Sequence, residues 1–345
     1  MSPTPQARAR AAARASMTDV ARLAGVSGQT VSRVANGSVN VSPETRRRVL
    51  DAMERLGYTP NTAARALRSG SFDTIGVIAH QLARTGESRT VEAVVQAARD
   101  AGHTITLLDI DSTAHEDVAE AASRLSHQAI DGLIIIRAEI EDVHRLQLPA
   151  GLPVVVADAT FGGRLPMVGT DHAGGARAAV EHLLDLGHRT VHHITGPPDS
   201  IPARARLAAW RGVLAERGIR APEPVRGDWT AASGYAAGAL IAGRPEVTAV
   251  FCANDEIASG LLLAAHRHGR RVPEDLSVVG FDDITLAEFL IPPLTTVRQP
   301  FGAVGRGLVE SLLARIATGA PAAPPEPAVL IPCELVVRES TAAPA

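Results

Sequence analysis

From Thr74 onward, short uninterrupted apolar runs alternate with stretches whose apolar residues recur at helical spacing, and no other feature of the chain constrains its fold as much. The runs are residues 75 to 79, 105 to 108, 132 to 136, 154 to 157, 191 to 194, 249 to 253 and 276 to 279, with a last strand expected over 333 to 337. Strands that lack a polar face must be buried on both sides, which predicts parallel sheets covered by helices. Ligands of such sheets bind beyond the carboxyl ends of the strands. Polar groups gather there: His80, Asp158, Asn254 with Asp255, and Asp282 with Asp283. The Pro- and Ala-rich tract from 319 to 327 reads as a crossover linker.

Residues 16 to 37 follow a different logic. Val20, Ala21, Leu23 and Ala24 give a first helix an apolar face, Gly25 allows a tight reversal, and Val26 fills the gap behind it. Ser27 is placed to cap a second helix from Gly28 to Ala35. There Val31 and Val34 face inward, which turns Gln29, Thr30, Ser32 and Arg33 outward. In a major groove Gln pairs with adenine and Arg with guanine, while Thr and Ser reach phosphates or the thymine methyl. The pattern reads as a helix-turn-helix; a helical hairpin with a merely solvated polar face is the alternative. Ser42 and Pro43 open a third helix that is expected to run to about Leu56 and stop at Gly57, with Arg46, Arg47 and Arg48 in its first turns. The Ala-rich segment 62 to 68, with Leu67 its only large apolar residue, is too short to be a stable helix alone. It is expected to fold only when DNA and a partner subunit hold it.

Charge separates the two regions. The first 70 residues hold eleven arginines against four carboxylates, a net of +7, whereas the whole chain is −3, so the remainder is −10. A basic head on an acidic body localises phosphate attraction and predicts salt-sensitive binding. The chain has no lysine, which excludes P-loop, kinase and Schiff-base lysine chemistry together. Cys252 and Cys333 are far apart and read as reduced core thiols. No stretch of about 18 apolar residues offers a membrane span, and the Arg-rich start has no signal-peptide core.

Much of the head and body resembles one family. Asp19-Val20-Ala21, Ala24 to Ser27, Thr30 to Val34, Asn36, Val41-Ser42, Thr45-Arg46, Gly57-Tyr58, Pro60-Asn61, Ala64 and Leu67 together are similar to the LacI/GalR family of bacterial repressors. The body is similar to the same family's two-lobed periplasmic-binding fold, closest to its lactose-repressor branch. The resemblance implies that Ser16, Ser27, Gly28, Gln29, Thr30, Ser32, Arg33, Asn36, Asn61 and Ala64 serve DNA binding, with Leu67 as a minor-groove wedge. Gly28 departs from the family, whose members often carry a large base-reading side chain there. In the body it implies that Asp158, Arg206, Trp229, Asn254, Asp282 and Gln299 face a sugar. A carboxylate, an amide and a guanidinium grip vicinal hydroxyls, and an indole stacks on the sugar's C–H face. Core packing of Trp229 and a plain Arg206–Asp282 salt bridge are the alternatives; Trp210, inside an Ala/Leu-rich helix, reads as structural. On the opposing lobe His80, Arg84, Glu87 and Thr90 stand where small or apolar side chains are usual, which suggests a larger or more polar ligand such as a disaccharide.

The expected fold is therefore a small all-α helix-turn-helix head plus an α/β two-lobed periplasmic-binding-protein-like body, with two parallel sheets and helices on both faces. Its layout is a basic tail over 1 to 15, a DNA-binding domain over 16 to 59, a hinge helix and linker over 60 to 72, a body over 73 to 340, and a tail over 341 to 345. The first lobe is expected at about 73 to 170 and 301 to 328, the second at about 171 to 300 and 329 to 340. The expected function is that of a cytoplasmic, homodimeric repressor that leaves a pseudo-palindromic operator when it binds a sugar. A corepressor-type regulator binding a non-sugar metabolite and a sugar-binding protein or enzyme without DNA function are the alternatives, and the absence of a terminal heptad repeat argues against a tetramer. No catalytic residue, metal or cofactor is expected. Asp282 and Asp283 are adjacent and do not flank a scissile bond, and His188, His192 and His193 lack partners at ligand spacing.

Overall fold

The computed structural model describes residues 15 to 35, 40 to 58, 71 to 110, 115 to 136, 148 to 158, 165 to 319 and 328 to 345. The chain divides into two compact units, residues 1 to 72 and 73 to 345.

The first unit is built by its caps. Helix α1 (Met17–Ala24) opens with a reciprocal capping box: the Asp19 amide donates to Ser16 Oγ at 3.3 Å and the Ser16 amide to Asp19 Oδ2 at 3.0 Å. Gly25, at φ 63°, closes it and frees the chain to turn. Helix α2 (Gly28–Ala35) starts at Ser27, whose Oγ accepts from the Thr30 amide at 3.2 Å. Helix α3 (Pro43–Leu56) has Ser42 as its cap and ends at left-handed Gly57. Val20, Ala21, Ala24, Val31, Val34, Val49, Ala52 and Met53 form the core of this unit. Leu23 does not join the apolar face expected of it and is 50% exposed. At 100° per residue it stands about 110° round the helix from the centre of the Val20, Ala21 and Ala24 face. Asn36, Asn61, Ala64, Leu67 and the expected hinge lie outside the described residues.

The second unit holds two lobes. The first has a six-stranded sheet of β1 (Thr74–His80), β2 (Thr104–Ile110), β3 (Gly132–Ile136), β4 (Val154–Ala157), β5 (Met167–Thr170) and β11 (Val329–Ile331) in the order β11-β5-β4-β3-β1-β2, all parallel. Helices α4 (Thr85–Asp100) and α10 (Phe301–Thr318) cover one face, where Val94, Leu308 and Leu312 meet Ile75, Val77 and Ile134. Helix α5 (His115–Ser126) covers the other through Val118, Ala122 and Leu125. The second lobe has β6 (His192–Thr195), β7 (Val225–Arg226), β8 (Ala249–Cys252) and β9 (Ser277–Val279) in the order β7-β6-β8-β9, also parallel. Helices α6 (His172–Asp185) and α7 (Ile201–Glu216) pack on one face around Trp210, Phe251 and Phe281. Helices α8 (Ala231–Ala242) and α9 (Asp255–Arg267) pack on the other around Val250, Ile257 and Leu261. Strands β10 (Thr296–Arg298) and β12 (Glu334–Val336) form a separate antiparallel pair.

Three expectations change. Strand β2 is an edge strand with alternating exposure, and Leu107 is 39% exposed, so it is not buried on both faces. Residues 329 to 331 belong to the first lobe, where β11 pairs with β5, although they were expected in the second; Pro332 divides the terminal apolar run into strands of different sheets. Residues 341 and 342 are no loose tail. Ser277 and Ala342 exchange two hydrogen bonds of 3.0 Å, and Ser340, fully buried, accepts from the Thr295 amide at 2.8 Å. Cys252 and Cys333 are free thiols, and burial raises the pKa of both, that of Cys333 to about 12.

Candidate functional site

The carboxyl ends of both sheets face a cleft between the lobes. It holds a cavity of about 410 Å³, within the size range of small-molecule sites. Arg84 and Glu87 from the start of α4 line its first-lobe wall; Arg206, Asp228, Trp229, Asn254, Glu256 and Asp282 line the other. Five of the eight expected effector residues, Arg84, Arg206, Trp229, Asn254 and Asp282, thus share one cavity. A neighbouring space of about 490 Å³ shares Asp282 and Thr85 with it and is walled by Gln299 and Arg298.

Each side chain is held by its element. Arg206 sits in the second turn of α7 and is almost fully buried. Its guanidinium lies 3.7 Å from the centre of the Phe281 ring, 5.4 Å from that of Trp229, and 3.6 Å from Asp282 Oδ1; it also donates to the Ala253 carbonyl. Asp282 is fixed in turn by Gln299, whose Nε2 donates to Oδ1 at 2.5 Å. Asn254 caps α9 by accepting from the Ile257 amide at 2.9 Å and donates to the Trp229 carbonyl at 3.0 Å. Its amide therefore holds both the helix start and the loop that carries the indole. Trp229 takes both roles weighed for it. It belongs to the hydrophobic core and packs over Gly196, where a Cβ would meet the ring at 2.5 Å, and it also lines the cavity, with a buried Nε1 that has no hydrogen-bond partner. Trp210 is structural, its Nε1 donating to the Val191 carbonyl at 2.9 Å.

Gln81, Trp229 and Asp282, all lining the cavity, have positive φ of 52°, 77° and 119°. Such conformations cost on the order of 1–3 kcal/mol each and cluster at ligand sites, because the surrounding packing imposes them.

Three expected residues sit elsewhere. His80 is buried and its Nδ1 faces the Ile110 carbonyl at 2.9 Å, so Gln81 lines the cavity in its place. Asp158 accepts from the Thr170 amide at 2.8 Å and lies 3.5 Å from His172 Nε2, while His172 Nδ1 accepts from Arg206 at 3.2 Å. It reaches Arg206 through His172 and stands outside the cavity lining. Gln299 acts on the cavity through Asp282. Asp255, one of the polar groups expected at the strand ends, is buried and accepts from the Ile284 amide at 2.9 Å and Thr296 Oγ1 at 2.5 Å; burial, then the nearby Asp282 charge, push its pKa well up. Asp283 accepts from Arg298 and Arg338, each at 2.7 Å. The sequence reading missed Glu256, Asp228 and Thr85. Glu256 follows Asn254-Asp255 directly, and its place in the first turn of α9 was the available signal.

In the first unit Val31 and Val34 are buried, while Gln29 and Arg33 are exposed and Thr30 and Ser32 half-buried. Ser16 and Ser27 cap their helices as described above, and Gly28 begins α2. One face of α2 thus carries the donors and acceptors that a major groove can read. His188, His192 and His193 do not converge: His188 meets Thr248 and the Ala342 carbonyl, and His193 stacks on Phe251 at 4.7 Å. Among the described residues, metal-ligating atoms come together at Asp73, His103 and Asp131, within 4.8 Å of one another. No helix among them is long and apolar enough to cross a membrane.

A helix-turn-helix unit and a two-lobed unit with a polar cleft together define a ligand-responsive DNA-binding protein. Residues 16 to 61 match the family described as bacterial regulatory proteins, lacI family, and residues 180 to 341 match the periplasmic binding protein-like domain. The lactose operon repressor of Escherichia coli (strain K12) is 35% identical over 330 residues, 94% of this chain and 90% of that protein. The HTH-type transcriptional regulator CelR of Thermobifida fusca is 35% identical over 339 residues, 95% and 98% of the two chains. The lac repressor dimer bound to operator and an anti-inducer superposes with a TM-score of 0.83 at 34% identity, covering 96% of this chain and all of that one. The CelR–cellobiose complex gives 0.70 at 34% identity, covering 95% and 100%. The chain belongs to the LacI family and is a DNA-binding transcriptional regulator.

Proposed function

We propose that this regulator is a homodimeric repressor whose α2 reads each half of a pseudo-palindromic operator, and that a sugar bound between the lobes releases it. The observation that carries the sugar reading is the cavity wall: Arg206, Asn254 and Asp282 converge beside an indole edge whose Nε1 is buried without a partner. Paired donors and acceptors beside an aromatic surface suit a ring with vicinal hydroxyls and an apolar C–H face. Arg84 and Glu87 on the facing wall extend the polar surface, which favours a disaccharide over a single ring. The relatives agree in kind, since the lac repressor and CelR structures hold sugar ligands.

The sugar can act only through different affinities for the operator-bound and released states. Thr85 donates to Glu256 and Arg89 Nη2 to Thr285 Oγ1 at 2.8 Å, both across the lobes, so a ligand that shifts one lobe on the other must change these bonds. We assign α10 and the strands from β1 to β5 to the lobe nearer in sequence to the DNA-reading unit, and residues 60 to 72 to the coupling segment. The direct test titrates galactosides and glucose disaccharides against the complex with operator DNA. Trp229→Ala is expected to raise the sugar concentration needed for release by about tenfold or more, an indole face being worth on the order of 1–2 kcal/mol. Release at unchanged concentration would remove Trp229 from the site.

A further inference from the structure

Among the described residues, six charged side chains line the cavity: Arg84 and Arg206 against Glu87, Asp228, Glu256 and Asp282. Asp282 stands 3.6 Å from Arg206, and Glu87 stands 3.9 Å from Arg84. Asp228 and Glu256 make up the acidic surplus. Hydrogen bonds favour the ionised form of Asp228. Asp228 accepts from the Thr230 amide at 3.0 Å and its hydroxyl at 2.6 Å, which holds its pKa below the usual carboxylate value. Glu256 lies in the first turn of α9, where the helix dipole favours a negative charge.

The two oxygens of Glu256 differ. Oε1 accepts from Thr85 Oγ1 of the opposite lobe. Oε2 is buried and has no hydrogen-bond partner, although Glu256 forms part of the cavity wall. A buried carboxylate oxygen without a donor is costly, and a ligand that supplies one recovers that cost.

We propose that the effector is an amino sugar, a saccharide bearing a protonated primary amine, and that Glu256 is the residue that receives the ammonium group. This rests on the sugar-effector reading given above. A neutral hydroxyl could satisfy Oε2 but would leave the acidic surplus of the described lining residues unmatched, whereas an ammonium group satisfies the oxygen and offsets that charge. The same balance disfavours a phosphorylated or uronic sugar, since both arginines already have carboxylates within 4 Å.

The test is calorimetric titration of the full chain with the β-1,4-linked disaccharide of glucosamine, its N-acetylated form, cellobiose and glucose 6-phosphate, followed by operator release with each. The amine disaccharide is expected to bind about tenfold or more tightly than the neutral two. Its advantage should shrink with added salt and as pH rises through the pKa of its own amine. Glu256→Gln keeps an acceptor but loses the charge, so it should abolish the preference of the amine disaccharide over cellobiose. Should that variant fold poorly, the wild-type pH dependence decides: weakening confined to the amine ligand supports the proposal, and equal slopes for amine and cellobiose overturn it. Neutral disaccharides that bind as tightly as the amine, or a preference that survives in Glu256→Gln, also overturn it. If a neutral sugar binds and releases operator, only the amine inference falls; if no saccharide binds, the sugar reading falls with it.

Discussion

His193 shows how single side chains in this body couple packing to pH. It is fully buried, stacks on Phe251, and donates Nδ1–H to the Phe251 carbonyl at 2.8 Å; burial lowers its pKa from 6.5 to about 4. The unfolded chain takes up a proton that the folded state refuses. Stability from this group is therefore complete above about pH 6.5 and is lost as pH falls toward 4, by as much as roughly 3 kcal/mol. Burial also lowers the pKa of His182, His188 and His192, so their contributions carry the same sign. Thermal unfolding followed from pH 7 to 5 is expected to show a falling midpoint, with a flatter profile in His193→Phe; an unchanged slope in that variant would show that another group dominates. At the DNA-reading surface Gln29→Ala and Arg33→Ala are each expected to weaken specific operator binding by about 1–3 kcal/mol and to spare non-specific binding. Competition assays against random DNA check this, and an equal loss on both DNAs would limit these side chains to phosphate contact.

Among the elements, helix ends and sheet cores were legible in the sequence, and edges were not. Ser16, Ser27, Ser42, Gly25 and Gly57 bound their helices as their chemistry dictates. Strands β3 and β4 coincide with their apolar runs because both are interior strands covered on two faces. The strands that escaped notice, β5, β7, β10 and β11, have two to four residues each, too few to show a period. The site was half legible. Arg206, Asn254 and Asp282 could be placed by motif, but the turn of Asp158 toward His172 and of His80 toward Ile110 depends on neighbours 14 and 30 residues away. At this scale Gly25→Ala should destabilise the first unit by on the order of 1 kcal/mol, since φ 63° is costly for alanine. Ser16→Ala should cost a similar amount through loss of the capping box. Melting of the isolated 15–58 signals in the intact chain checks both, and wild-type stability in Gly25→Ala would mean the turn relaxes.

For the whole molecule, the basic charge and the polar cleft belong to different units of one chain. The +7 carried by the first 70 residues, on a chain whose net charge is −3, predicts operator affinity that falls steeply and linearly in logarithm with salt. The proposed second control is the cleft, with polar groups drawn from both lobes and hydrogen bonds that span them. Membership of the LacI family joins these two features in one regulator. Coupling between two sites is reciprocal, so if a sugar is the effector as proposed, operator DNA must weaken its binding by the same factor by which it weakens operator binding. The measurement that tests this most directly is fluorescence anisotropy of the full chain on labelled DNA from upstream of its own gene, at fixed salt, during titration with sugars. The account predicts that one class of saccharide lowers operator affinity, with half-release near the concentration that half-saturates the cleft in calorimetry. Tight operator binding that no saccharide changes, while a saccharide demonstrably occupies the cleft, would contradict it.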